Sequence, residues 1–109
     1  MEFKRRPWGW YLTLINKEHF KVKLLKFKRG GECSLQRHKH RNELWCFIKG
    51  WGAMRFGMNQ RDLHTEYMKS GETILIIRNE WHKFEARSPA LVLEIQYGEK
   101  CSEEDIERA

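Results

Sequence analysis

The segment Gln36-Arg37-His38-Lys39-His40-Arg41-Asn42-Glu43 gathers the residue types that bind divalent metals, and His82 answers it far down the chain. In an extended segment the side-chain period is two, so His38 and His40 point to one face. Imidazole nitrogens with a carboxylate suit Zn, Fe, Mn, Co or Ni better than Cu(I) or Ca. His38, His40, Glu43 and His82 are therefore expected to hold one divalent transition metal. Four protein ligands leave one or two coordination positions open, which a catalytic metal needs and a structural one does not. Gln36 lies on the same face and is expected to act as a hydrogen-bonding neighbour or outer ligand.

Those ligands must be positioned by a small scaffold. At 109 residues the expectation is one domain over 1–109, long enough for a modest core. Five Trp, six Phe and three Tyr supply the apolar bulk of a globular chain. No run approaches the roughly 18 apolar residues of a membrane span. Met1 to Arg6 is basic but lacks a following apolar stretch, so no secretion signal is read and a cytoplasmic location is expected. Cys33, Cys46 and Cys101 are odd in number and form no CxxC, which predicts free thiols. The net charge of +6 suits nucleic acid, a small anion or a solvated basic surface. Lys and Arg are scattered rather than gathered into one arm, so nucleic acid is the least favoured partner.

Short alternating segments predict strands over Phe20–Leu24, Cys33–His38, Glu43–Lys49, Trp51–Met58, Arg61–Met68, Thr73–Ile77, Trp81–Ala86 and Leu91–Tyr97. Turn residues separate them, including Met58-Asn59-Gln60-Arg61 and Arg78-Asn79-Glu80. Ser102 followed by Glu103, Glu104 and Asp105 predicts a short C-terminal helix. The expected fold is all-β: one small antiparallel β-barrel with that helix appended. Lys21 and Lys23 alternate with apolar residues, and outward solvation is expected for them. Trp8, Trp10 and Tyr11 should cover one end of the barrel. Trp45 and Phe47 share parity with Glu43 and should line the interior. Trp51 and Trp81 are expected as core or interface aromatics, and His19 and His64 as surface residues.

The chain resembles the cupins, whose two motifs each form a hairpin of a jelly-roll barrel. The first motif reads here as Gly30 or Gly31, His38-x-His40, Glu43, then six residues to Gly50, with a shorter spacer than usual before Glu43. The second reads Gly71, five residues, Ile77-Arg78-Asn79, two residues, His82, three residues, Ala86. Ile77 and Asn79 replace Pro and Gly, a change the turn survives because Asn tolerates the left-handed conformation. Ala86 replaces an Asn that is not a ligand.

A narrower resemblance, to the type II mannose-6-phosphate isomerase domain, covers nearly the whole chain. Arg6-Pro7-Trp8-Gly9-Trp10-Tyr11, Ser34-Leu35-Gln36-x-His38-x-His40-Arg41-x-Glu43-x-Trp45, Leu93-Glu94-Ile95-Gln96-x-Gly98 and Glu104-Asp105-Ile106-x-Arg108 carry it. In that family the domain usually follows a mannose-1-phosphate guanylyltransferase domain, for which 109 residues leave no room, and Leu44 stands where the family commonly has His.

The resemblance implies a metal-dependent aldose–ketose isomerase acting on a hexose phosphate. Arg41 and Arg108 coincide with family arginines and are expected as catalytic groups gripping phosphate. Gln36, Arg41, Trp45, Arg78 and Arg108 are the expected substrate contacts, and no residue is assigned as general base. Two other functions fit the same ligands: an Fe(II)-dependent cupin oxygenase, and a non-catalytic metal- or sugar-binding module. Small cupins commonly dimerise through their strands, so a homodimer is expected.

Overall fold

In a computed structural model describing residues 1–109, eleven strands form two antiparallel sheets and no helix. They are β1 (Glu2–Arg6), β2 (Gly9–Asn16), β3 (Phe20–Phe27), β4 (Gln36–Arg37), β5 (Arg41–Lys49), β6 (Trp51–Gly57), β7 (His64–Lys69), β8 (Thr73–Ile76), β9 (Trp81–Ala86), β10 (Ala90–Gly98) and β11 (Glu107–Arg108). One sheet runs β1-β2-β3-β10-β5-β8 and the other β11-β4-β9-β6-β7. The hydrogen-bonded strands thus divide into two sheets instead of closing into the expected barrel. No helix is long and apolar enough to cross a membrane.

The interior is built by three adjacent strands whose alternation is strict. On β3 the inward row is Lys21, Lys23, Leu25 and Phe27, on β10 it is Ala90, Val92, Glu94 and Gln96, and on β5 it is Arg41, Glu43, Trp45 and Phe47. Register lines these rows up: Gln96 sits between Lys21 and Glu43, Glu94 between Lys23 and Trp45, and Val92 between Leu25 and Phe47. Each strand is therefore apolar at one end of its inward face and polar at the other. Leu25 and Phe27 must reach the core, and a period of two then carries Lys21 and Lys23 inward with them. The expected outward solvation of these lysines is overturned: they are 4% and 6% exposed.

Phe27 anchors the apolar end, stacked on Trp8 at 4.4 Å and edge-on to Phe84 at 5.0 Å. Trp8 and Tyr11 do pack against this interior, but they flank and begin β2, which pairs with β1 as a hairpin the sequence did not disclose. Trp81 is buried, whereas Trp51 is exposed. His19 and His64 are at the surface, and the three cysteines are free thiols, as expected.

The predicted C-terminal helix is absent. Ser102 does receive the Glu104 N–H on its hydroxyl, but the chain closes only a turn before β11. Seven residues are too few to sustain a helix without packing. Here their polar groups are committed elsewhere: Asp105 to the loop before β5, Glu103 to Lys21 and Lys23, and the Ser102 carbonyl to Arg41. The turn before β9 forms as expected, with Asn79 at φ 66°.

Candidate metal centre and its cavity

His38 follows β4, Glu43 lies on β5 and His82 on β9, so the two sheets meet at this cluster. Their ligand atoms all lie within 4.8 Å of one another, and all three residues are buried. Nε2 of His38 is 3.2 Å from Glu43 Oε2, and Nε2 of His82 is 3.3 Å from Oε1. The far side of each ring is tied to the backbone. His38 Nδ1–H donates to the Asp105 carbonyl at 2.7 Å, and His82 Nδ1–H donates to the Glu80 carbonyl at 3.1 Å. A carbonyl only accepts, so both rings carry hydrogen on Nδ1 and, when neutral, aim the Nε2 lone pair inward. Fixing the tautomer through the second ring nitrogen is how metal-binding imidazoles are usually held.

The charges of His38 and Glu43 suit that role. Burial opposes charge on His38, and with Arg41 and His82 it outweighs Glu43, keeping the ring neutral to lower pH than an ordinary histidine. Burial also opposes charge on His82, but Glu43 outweighs it and raises the pKa. Glu43 is buried too, yet His82, His38 and Arg41 hold its carboxyl well below the usual carboxylate range. The orphan in the cluster is His82 Nε2: it is fully buried and, despite its distance to Oε1, makes no aligned hydrogen bond. Two preset imidazoles, one of them with an unpartnered buried Nε2, and one ionised carboxylate fit a divalent transition metal.

His40 does not join them. Its side chain is 44% exposed and its Nδ1 lies 3.2 Å from Glu99 Oε1. The reason is local. The strand ends at Arg37, and residues 39–40 bend, so the two-residue period stops before His40. Asp105 holds the bend by accepting the N–H groups of Lys39 and His40, both at 2.9 Å. The spacer that looked short is thus counted from the wrong histidine: His38 to Glu43 is the pair that converges. Gln36, two residues before His38, is the register partner of His82 and lines the same cavity.

The cavity beside the cluster measures about 370 Å³. Its lining includes Gln36, Trp45 and Arg108 from the expected substrate contacts, together with Arg41. Arg41 is buried and already engaged: Nε donates to Glu43 Oε2 at 3.0 Å, Nη1 to the Ser102 carbonyl at 2.8 Å, and Nη2 lies 3.4 Å from His38 Nε2. It is a fixed charge at the edge of the cluster rather than a free phosphate grip. Arg78 lies outside the cavity lining, 3.3 Å from Glu99. Trp45 Nε1–H donates to Glu43 Oε1 at 3.1 Å.

Sequence reasoning missed two acidic residues in this cavity. Glu94 is buried, and burial followed by the nearby Glu43 charge pushes its carboxyl up to about 8. Glu103 reaches in from the tail to Lys21 and Lys23. Burial opposes its charge, but the two lysines outweigh it and hold the carboxyl at about 2. The available signal for Glu94 was its parity with Val92. That signal was masked because the intervening residues Leu91, Leu93 and Ile95 are also apolar.

Two facing antiparallel sheets with a His–Glu–His cluster at their junction define a cupin. Residues 2–109 match the family described as mannose-6-phosphate isomerase C-terminal, and the chain belongs to that family. A mannose-1-phosphate guanylyltransferase of Klebsiella pneumoniae is 37% identical over 98% of this chain and 23% of its own length. One of Sinorhizobium fredii is 31% identical over 94% of this chain and 20% of its own length. The chain thus spans about a fifth of the length of these curated relatives. Among solved structures, a B. subtilis oxalate decarboxylase variant aligns with 99% of this chain and 30% of its own, with TM-score 0.85 and 15% identity. The capsular polysaccharide assembling protein CapF from Staphylococcus aureus aligns with 98% of this chain and 33% of its own, with TM-score 0.80 and 19% identity.

Proposed function

We propose that this cupin is a metal-dependent sugar-phosphate isomerase of the mannose-6-phosphate type. The observation that carries the proposal is the pair of imidazoles whose Nε2 atoms face one ionised carboxylate beside a cavity of about 370 Å³. His38, Glu43 and His82 would hold the ion, with Gln36 as a fourth donor. A bound divalent ion polarises carbonyl and hydroxyl oxygens and stabilises negative charge developing on them.

Aldose–ketose isomerisation moves one proton between adjacent carbons and another between their oxygens. Glu94 is the carboxyl suited to carry a proton here, because it is buried in the cavity, its pKa is raised by that burial, and it is not one of the three ligands. Glu43 is excluded from that role by its engagement with His38, His82 and Arg41. Arg41 would fix Glu43 and offset its charge, and Arg108 at the cavity wall would meet an anionic substrate.

A coupled assay with metal-loaded protein tests this. The expected result is interconversion of mannose 6-phosphate and fructose 6-phosphate that disappears in His82→Ala. No turnover with one ion bound per chain contradicts it and favours a binding module, a role that the fixed Arg41–Glu43 pair also supports. The partly buried apolar residues Val22, Leu24, Leu44, Leu93 and Ile95 on the outer face of the six-stranded sheet support the expected homodimer. A monomeric mass by light scattering contradicts that.

A further inference from the structure

Lys21 and Lys23 are a feature that the metal centre does not use. Both ammonium groups lie inside the protein, and one carboxylate serves them: Lys21 Nζ is 3.1 Å from Glu103 Oε2 and Lys23 Nζ is 2.7 Å from Oε1. The Tyr11 hydroxyl donates to the same carboxylate at 3.3 Å, and Lys23 sits 4.2 Å over the Tyr11 ring. Two ammonium groups against one carboxylate leave this cluster of Lys21, Lys23 and Glu103 with a surplus positive charge.

The partners are unequal in a way that points to exchange. The lysines are almost fully buried on a central strand, whereas the Glu103 side chain is 49% exposed on the tail that crosses the cavity. The carboxylate can therefore rotate into water, and the lysines cannot. Beside them, Gln96 is 1% exposed, donates its amide to Glu94 at 2.9 Å, and leaves Oε1 with no partner. Gln96 is the register partner of Lys21 and lines the cavity together with Lys23, although Lys21 itself does not, and its Oε1 is a buried acceptor without a donor.

We infer that Lys21, Lys23 and the Tyr11 hydroxyl form a binding subsite for the phosphoryl group of a phosphate monoester, which Glu103 occupies until the ligand displaces it. A phosphate monoester carries close to two negative charges near pH 7 and offers three acceptor oxygens. It matches the two ammonium groups in charge and the three donors in number, where Glu103 matches only the donors' position. Gln96 Oε1 would accept from a ligand hydroxyl in the same cavity. The inference deepens the sugar-phosphate proposal by naming where the phosphate goes, but it requires neither metal nor turnover.

The test is titration of chelator-stripped protein with inorganic phosphate by calorimetry. Working on metal-free protein separates this subsite from the isomerase proposal, which would fail instead in the coupled assay. Glu103→Gln removes the competing charge and should tighten phosphate binding by about tenfold. Adding Lys23→Gln should abolish the gain. Glu103→Asp, which keeps the charge but shortens its reach, should tighten binding by a smaller factor and serves if the neutral variant does not fold. Unchanged or weaker phosphate binding in the folded Glu103 variant overturns the inference.

Discussion

The two ends of the interior are made by the same three strands, yet they do opposite work. At one end Leu25, Phe27, Phe47 and Val92 pack with Phe84 and Met54 and leave no polar atom to satisfy. At the other, Lys21, Lys23, Arg41, Glu43, Glu94 and Gln96 point inward from identical backbone geometry. Burying that many ionisable groups is costly unless each is paired, and pairing here is incomplete at His82 Nε2 and Gln96 Oε1. The apolar end holds the sheets together, and the polar end carries the candidate site.

If so, damage to the two ends should separate stability from binding. The largest stability loss is expected at the apolar end: Phe84→Ala should lower unfolding free energy by about 3–5 kcal/mol in urea melts. Next, saturating divalent metal should raise the melting temperature of the wild type by roughly 10 °C at a hundredfold excess over Kd. His82→Ala should lose that shift. A metal shift that survives in His82→Ala would place the ion elsewhere.

The pH dependence sharpens the contrast further. Glu103 titrates at about 2 in the folded protein, below its ordinary value near 4.5, because Lys23 and Lys21 outweigh the burial that opposes its charge. Its stabilisation is therefore complete above about pH 4.5 and is lost as pH falls toward 2. Melting temperatures across that window should fall less steeply for Glu103→Gln than for the wild type. The smallest effect belongs to Arg78→Ala. Its contact with Glu99 is solvent-exposed, so neither melting temperature nor metal affinity should change measurably.

Most of this architecture was legible in the alternation of the strands, because one face had to carry Trp45, Phe47 and their neighbours. Three failures have specific causes. Glu2–Arg6 is exposed at every residue and so shows no period, which hid the N-terminal hairpin. The parity of Lys21 and Lys23 is set by Leu25 and Phe27 further along the strand, beyond the alternating segment Phe20–Leu24. The period of two was extended through a bend to His40, although Asp105, some 65 residues away, is what makes the bend. Long-range hydrogen bonds of this kind leave no local trace. His38, Glu43 and His82 were found because their residue types are unusual in a core, whereas Glu94 and Glu103 look like ordinary surface acids.

The central claim is that His38, Glu43 and His82 hold one divalent ion, and that His40 does not. Metal analysis of purified protein after loading and desalting addresses it directly, with His40→Ala and His82→Ala measured beside the wild type. About one ion per chain is expected in the wild type and in His40→Ala, and none in His82→Ala. A metal-free wild type, or loss of the ion in His40→Ala, would contradict the account.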